Sequence, residues 1–246
     1  MSRHVVITGA SSGIGAACAR LFQQRGDRLS LGARREDRLQ GVAGEAFRQA
    51  LDVTKPPSVA RFVTAAVAAN GPIDILINNA GLARGIEKIA EGTGEAWREM
   101  IETNVLGLLE VTRLVLPHMV QNKRGHVVVI GSIAGHKAYV GGGVYCASKR
   151  ALQPICEAMR METLGTGIRV TSVDPGLVET EFSLVRFRGD QERATKVYHD
   201  TRPLTGDDIA ECVLFAVDRP AHVNIDTIVV MPTDQASPQM VHRGGR

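Results

Sequence analysis

The amino-terminal 24 residues hold the feature that most constrains this fold, a strand that runs directly into a glycine-rich turn and a helix. His4–Thr8 is an apolar run typical of a buried strand, and the segment GASSGIG at 9–15 precedes a helical pattern at 16–24. The glycines permit a tight turn and a close approach of the backbone to a pyrophosphate, which the exposed N–H groups of a helix N-terminus stabilise. This placement favours dinucleotide binding over a plain tight turn.

A second strand, Arg28–Ala33, is followed by arginines where folds that select NAD place an acid for the ribose 2′-hydroxyl. A guanidinium suits a 2′-phosphate because it presents several charged donors in one plane. Alternatively, Arg34 and Arg35 only open the next helix on its solvated side. The missing acid and the two arginines together favour NADP over NAD.

Predicted strands and helices alternate along the rest of the chain. The further strands are a short one ending at 51–53, then 73–77, 127–130, 168–173 and 227–230; the further helices are 36–47, 56–70, 95–122, one ending near 164, and one beginning at Thr205. Such alternation predicts an α/β fold with a parallel sheet and helices on both faces. Ligands in these sheets bind beyond the carboxyl ends of the strands.

A serine, a tyrosine and a lysine follow the strand at 127–130. Ser132 comes just after the strand, and Tyr145 and Lys149 lie four positions apart, on one face of a helix. The Lys149 ammonium is therefore predicted to sit beside the Tyr145 phenol and lower its pKa, so that the phenol exchanges protons near neutral pH. The alternative is a surface pair and a loop serine, which occur by chance in many proteins.

Composition narrows the class of protein. With 246 residues, of which 44% are hydrophobic, the chain suits one large domain at 1–246. Its net charge of +3 is spread along the chain, apart from a cluster of Arg34, Arg35 and Arg38, so we expect neither a nucleic-acid nor a membrane partner. The four cysteines lack metal-site spacing, and no run of 18 apolar residues exists. We predict a cytoplasmic protein without a metal.

Four local features carry further expectations. The charged stretch at 181–202 is predicted to be a mobile flap over the site in place of a core element. Pro154 is predicted to kink the helix in which it lies. Asp52 either accepts a hydrogen bond from an adenine amino group or forms a turn. Asn104 lies between apolar neighbours, and its simplest interpretation is a buried amide whose hydrogen bonds are satisfied within the core.

The order of these motifs resembles the short-chain dehydrogenase/reductase family along essentially the whole chain. The matching residues are T-G-x-x-x-G-x-G at 8–15, N-N-A-G at 78–81, Asn104, Ser132, Y-x-x-x-K at 145–149 and P-G at 175–176. The resemblance implies a single-domain, doubly wound Rossmann fold whose seven parallel strands have the order 3-2-1-4-5-6-7. It also implies a nicotinamide cofactor, here NADP, and a homotetramer or dimer, of which we expect the homotetramer.

The resemblance also assigns residues to the site. Tyr145 becomes the general acid/base, Lys149 lowers its pKa and holds the nicotinamide ribose, Ser132 orients the substrate oxygen, and Asn104 helps to hold a water-linked proton path. The expected cofactor-binding residues are Gly9, Ser11, Ser12, Gly13, Ile14, Gly15, Arg34, Arg35, Asp52, Val53, Asn79, Ala80, Gly81, Tyr145, Lys149, Pro175, Gly176, Val178 and Thr180.

Within the family, the segments around Ser132–Lys149 and 175–190 look most like NADP-dependent 3-hydroxy acid dehydrogenases that act on serine or allo-threonine. A small-molecule substrate of this kind carries a carboxylate, which needs a cation once water is excluded. In an extended flap Arg186 and Arg188 share a face, with Phe187 on the other, so we expect Arg186 to close over the substrate together with Ser132 and Tyr145. The alternatives are a 3-oxoacyl thioester reductase and a non-catalytic NADP(H) sensor.

Overall fold

A computed structural model describes residues 2–244 and shows one seven-stranded parallel sheet of order β3-β2-β1-β4-β5-β6-β7. The strands are β1 (His4–Thr8), β2 (Arg28–Ala33), β3 (Phe47–Ala50), β4 (Ile75–Asn78), β5 (Gly125–Ile130), β6 (Ile168–Pro175) and β7 (Thr227–Val230). The order reverses between β1 and β4, which opens a crevice at their carboxyl ends. The predicted seven-stranded Rossmann arrangement is confirmed.

Helices cover both faces of the sheet. They are α1 (Gly13–Gln24), α2 (Pro56–Asn70), α3 (Gly94–Ile101), α4 (Gly107–Gln121), α5 (Gly143–Arg150), α6 (Leu152–Glu162), α7 (Phe182–Arg186), α8 (Gln191–Lys196) and α9 (Gly206–Val217). Successive strand side chains point to opposite faces, so Val5 and Ile7 pack with α1 and α9 while Val6 packs with α2 and α4. Both faces are apolar, as a sheet covered on both sides requires.

The segment predicted as a helix at 36–47 folds differently. It forms a short 3₁₀-helix at Asp37–Gly41, and Phe47 begins β3, where it pairs with Ser30 of β2. Glycines at 41 and 44 disfavour a continuous helix, and the ladder with β2 supplies the backbone bonds that a helix would have made. The strand expected to end at 51–53 therefore ends earlier, at Ala50.

Two helical predictions are corrected in detail. The long helix at 95–122 is interrupted by one π-helical turn, Glu102–Leu106, which carries Asn104. The helix expected to contain Pro154 is divided at Ala151 into α5 and α6, and the proline lies in the first turn of α6; the expected kink stays a prediction. A first-turn N–H has no partner within its own helix, so proline costs little there.

The stretch at 181–202 has more structure than a flap without a core element would have. It contains α7 and α8, and the side chains of Ser183, Phe187 and Ala194 are buried. Many of the charged residues that lowered its apolar content are exposed, such as Arg188, Glu192 and Lys196, whereas Arg186 is half-buried. Packing of their few apolar residues holds the segment over the carboxyl ends of the strands.

Candidate active site

The glycine loop between β1 and α1 is packed too tightly for side chains. A Cβ atom added at Gly9 would lie 2.8 Å from Cα of Ala80, and one added at Gly15 would lie 2.6 Å from the carbonyl oxygen of Gly9. Gly9 and Gly13 also have positive φ angles, of 66° and 54°. The amide of Asn79 donates to the carbonyl of Gly9 at 3.1 Å and ties β4 to the loop. The loop thus presents bare backbone and the N-terminus of α1 to the crevice.

A groove of about 970 Å³ runs along the carboxyl ends of the strands. Of the residues expected to bind a cofactor, those that line it are Gly9, Ser11, Ser12, Gly13, Ile14, Arg34, Arg35, Asp52, Val53, Asn79, Ala80, Gly81, Tyr145, Lys149, Pro175, Gly176, Val178 and Thr180. Gly15 lies behind this lining. The Asp52 carboxylate accepts from the backbone N–H of Thr54 at 3.0 Å and from its hydroxyl at 2.7 Å, so it forms a turn at the groove wall.

Asn104 lies behind the groove, where its side-chain amide bonds to the loop after β4 and to α5. Its amide nitrogen donates to the carbonyl of Leu82 at 2.8 Å and to Oγ of Ser148 at 3.0 Å, while its Oδ1 accepts from the N–H of Leu82 at 2.8 Å. These bonds fasten the loop after β4 to α5. They match the satisfied core amide that was the plain interpretation of this residue.

Ser132, Tyr145 and Lys149 converge on the groove, and all three are buried. Ser132 caps a short turn, where its hydroxyl accepts from the N–H of Ala134 at 3.1 Å. Nζ of Lys149 donates to the carbonyl of Ile130, the last residue of β5, at 2.8 Å. The turn of α5 places both Tyr145 and Lys149 on the side that faces the groove.

The electrostatics of this cluster differ from the expected stabilisation of a phenolate by Lys149. Burial raises the pKa of Tyr145 well above its usual range, and the interactions with Ser132 and Arg186 only partly oppose this. Burial also lowers the pKa of Lys149 to about 8, although Asp174 acts in the opposite direction. The Lys149 ammonium is directed at the backbone carbonyl of Ile130, and the expected lowering of the Tyr145 pKa by Lys149 stays a prediction.

Comparison with known proteins identifies the family of this chain. The model of the family described as short chain dehydrogenase matches residues 3–190, which is most of the chain. The chain belongs to this family. Membership makes it an oxidoreductase, as the motif order predicted.

Two relatives and one solved structure show how close this short-chain dehydrogenase is to known enzymes. It is 42% identical to the NADP-dependent 3-hydroxy acid dehydrogenase of Salmonella typhi over 245 residues, 97% of this chain and 99% of the relative. It is 39% identical to the serine 3-dehydrogenase of Agrobacterium fabrum, with 96% of each chain covered. The closed form of a serine dehydrogenase complexed with NADP⁺ superposes with a TM-score of 0.93 at 41% identity, covering 98% of this chain and all of that one.

The groove lining includes Arg186, which lies among aromatic rings. Its guanidinium carbon is 5.2 Å from the ring centre of Tyr145 and 5.6 Å from that of Tyr139. Nε donates to the carbonyl of Gly85 at 3.1 Å, and Nη2 donates to the hydroxyl of Tyr139. Arg188 is exposed, with its nearest carboxylate oxygen 3.9 Å away on Glu95. Both arginines line the groove, but α7 is helical up to Arg186 where an extended segment was assumed, and Arg188 follows the helix.

Sequence reasoning missed the partners of the arginine cluster. Glu181 accepts from Nη1 of Arg35 at 2.8 Å and from Nη1 of Arg38 at 2.7 Å. Arg38 had been noticed only as a member of the cluster, and Glu181 only as the start of a charged stretch. Their separation of more than 140 residues hid the contact, and no local pattern announces it.

The expectations about metal and membrane concern absences. Among residues 2–244, no group of three or more histidine, cysteine or acidic side chains is placed to hold a metal ion. No helix in that part of the chain combines the length and the apolar character needed to cross a lipid bilayer.

Proposed function

We propose that this enzyme is an NADP-dependent dehydrogenase that transfers a hydride between the nicotinamide and a small 3-hydroxy or 3-oxo acid. The observation that carries the substrate class is the Arg186 guanidinium, held 5.2 Å from the ring of Tyr145 inside the groove. A cation beside the proton-carrying group suits a substrate whose carboxylate lies close to its reacting carbon. The printed functions of the Salmonella and Agrobacterium relatives support the same class.

The residues present fit NADP. The glycine loop lines the groove with bare backbone, which lets a pyrophosphate approach closely, and the Glu181 carboxylate already pairs with Arg35 and Arg38, as an anion at this position would. Arg34, Arg35 and Arg38 would hold the 2′-phosphate, and the backbone of Ser12 and Gly13 the pyrophosphate. When bound, the cofactor supplies the hydride chemistry, and the protein supplies position and protons.

Tyr145 carries the proton in this proposal. Burial raises its pKa and so favours the protonated phenol, which can give its proton to a substrate carbonyl oxygen as hydride arrives and takes it back when the alcohol is oxidised. Ser132, at the end of β5, orients that oxygen. Lys149, whose pKa is lowered to about 8, remains a cation near neutral pH and attracts the ribose hydroxyls on the same side of the groove.

Carboxylate recognition by Arg186 is tested by comparing acid and ester substrates. Two hydrogen bonds occupy Nε and Nη2, so the remaining guanidinium donors can bind a carboxylate. Arg186→Ala should raise the KM for 3-hydroxy acids about tenfold or more and leave the KM for their methyl esters little changed. Lys196→Ala is the matched control, since Lys196 is an exposed cation on the same segment and does not line the groove.

Two results would count against this substrate. Equal kinetics for acid and ester in the wild-type enzyme would contradict carboxylate recognition and favour the thioester reductase. Binding of NADP⁺ without turnover of any hydroxy acid or thioester would favour the sensor. Both outcomes are read from NADPH formation at 340 nm together with calorimetric binding of NADP⁺.

We also propose that the enzyme is a cytoplasmic homotetramer. Apolar side chains are exposed at the start of α4, where Leu106 and Leu109 are 55% and 38% exposed, and near β7, where Phe215 and Val229 are 51% and 46% exposed. Two separate apolar patches allow two kinds of twofold contact, which is what a tetramer with dihedral symmetry needs. Light scattering should give about four times the chain mass of 26.4 kDa, and a monomer would contradict the proposal.

A further inference from the structure

Glu181 joins two sides of the cofactor groove. Its carboxylate receives Nη1 of Arg35 at 2.8 Å and Nη1 of Arg38 at 2.7 and 2.8 Å. Arg35 also donates through Nη2 to the hydroxyl of Ser12 at 3.0 Å, at the N-terminus of α1. One acidic side chain thus neutralises two arginines at the end of the groove where the 2′-phosphate is expected.

The backbone places Glu181 here through its neighbours. Thr180 packs against the glycine loop, so closely that a Cβ atom added at Gly13 would lie 3.1 Å from Cγ2 of Thr180. Phe182 begins α7 and stacks on Tyr145 with ring centres 5.6 Å apart. Glu181 therefore stands between the glycine loop and the flap, and its side chain reaches across to the loop after β2.

The three charged side chains are accessible to solvent and to a ligand. The exposed fractions are 39% for Glu181, 41% for Arg35 and 44% for Arg38. Ion pairs this exposed are weak, so an incoming phosphate can replace them. A phosphate dianion and a carboxylate cannot both occupy the same donors without repulsion.

We propose that Glu181 is a cofactor-selectivity residue whose carboxylate competes with the 2′-phosphate of NADP for Arg35 and Arg38. This inference rests on the proposed NADP dependence of the enzyme. Binding of NADP displaces the carboxylate from the arginines, whereas NAD, which has only a hydroxyl there, leaves the contact in place. Glu181 thus lowers the affinity for NADP selectively and prevents the empty arginine pair from retaining other anions.

The direct test is the dissociation constant of each nucleotide measured by titration calorimetry. Glu181→Gln keeps the size of the side chain and removes the competing charge. It should tighten the binding of NADP⁺ and of adenosine 2′,5′-bisphosphate by roughly three- to tenfold, and leave that of NAD⁺ and adenosine 5′-monophosphate unchanged. Glu179→Gln is the matched control, because Glu179 is an exposed acid two residues away.

A second variant tests whether the effect passes through the arginines. In an Arg35→Gln background, Glu181→Gln should tighten NADP⁺ binding much less, because one of the two shared partners is missing. An undiminished effect would indicate general repulsion at a distance and would overturn competition for Arg35. Circular dichroism before each titration confirms that the variants are folded.

The remaining outcomes separate this inference from the proposed function. If Glu181→Gln weakens the binding of NADP⁺ and of NAD⁺ by the same factor, the residue closes the groove over the cofactor and does not compete with it. Equal tightening by Glu179→Gln would also refute competition, since only net charge would matter. If the wild-type enzyme binds adenosine 5′-monophosphate and adenosine 2′,5′-bisphosphate with equal affinity, it has no 2′-phosphate site. The proposed NADP dependence itself then fails.

Discussion

Lys149 illustrates at the residue scale how a functional side chain lowers stability. Its side chain is buried, and burial lowers the pKa from the ordinary 10.5 to about 8. Below pH 8 the amine is charged in both the folded and the unfolded chain, so the folded state carries the full cost of desolvation. Between pH 8 and 10.5 the unfolded chain binds more protons, and stability contributed by this group rises.

Lys149→Met should therefore stabilise the protein while abolishing turnover. A shift of about 2.5 pKa units corresponds to about 3 kcal/mol at pH 7, less whatever the bond to Ile130 contributes. The gain should shrink as the pH rises toward 10.5. Urea unfolding of both proteins at pH 7 and pH 10 measures it, and a gain that grew with pH would contradict the sign.

Tyr145→Phe isolates the proton carrier. The ring and its contact with Phe182 remain, so cofactor binding should be nearly intact, while kcat should fall about a hundred- to ten-thousand-fold. Steady-state kinetics and calorimetry with NADP⁺ provide the two readouts. Retention of more than about half the wild-type kcat would remove Tyr145 from the mechanism.

Residues were predictable from sequence where spacing alone decides their position. Tyr145 and Lys149 share a helix face because they are four residues apart, and Ser132 follows a strand whose carboxyl end is at the groove. Distant contacts were not predictable. The Glu181 carboxylate accepts a hydrogen bond from Arg35, which is 146 positions away in the sequence. The guanidinium of Arg186, 5.2 Å from the Tyr145 ring, belongs to a helix that the sequence did not indicate.

At the scale of elements, periodic apolar patterns located most strands, and failures occurred where distant partners decide. The residues of β3 lack a clear alternating pattern of apolar and polar side chains. They form a strand because their backbone pairs with β2, beginning at Phe47. The π turn at Glu102–Leu106 has a similar origin, since the bonds of Asn104 to Leu82 and Ser148 come from other elements.

Pro154 gives the element-scale prediction. It lies in the first turn of α6, where no N–H is needed, so Pro154→Ala should change the free energy of unfolding by less than about 1 kcal/mol. Glu157 is exposed one turn later in the same helix, and Glu157→Pro should cost about 3 kcal/mol. Chemical denaturation compares the two, and similar losses would show that α5 and α6 act as one helix.

At the scale of the whole molecule, a network of ion pairs lies at the amino-terminal ends of the strands, on the side of the sheet opposite the groove. Arg3 precedes β1 and bonds to Asp27, before β2, and to Asp218, after α9, each at 2.7 Å. The side chain of Asp27 is only 4% exposed, so loss of Arg3 would leave a nearly buried carboxylate without its cation.

Arg3→Ala should lower the free energy of unfolding by about 1–3 kcal/mol and leave kcat/KM at 25 °C unchanged. Thermal unfolding and steady-state assays on the same preparation measure both quantities. A loss of activity in fully folded protein would show that this edge and the groove are coupled through the strands.

Because all seven strands are parallel, each of them begins on the side of the sheet where Arg3 lies and ends at the groove. Substitutions that adjust durability and substitutions that adjust chemistry then fall at opposite ends of the same strands, far enough apart for their effects to add. Thermal stability can therefore be raised by substitutions at the amino ends of the strands and substrate specificity changed by substitutions at their carboxyl ends. The two sets of substitutions can be selected separately, in either order, and then combined.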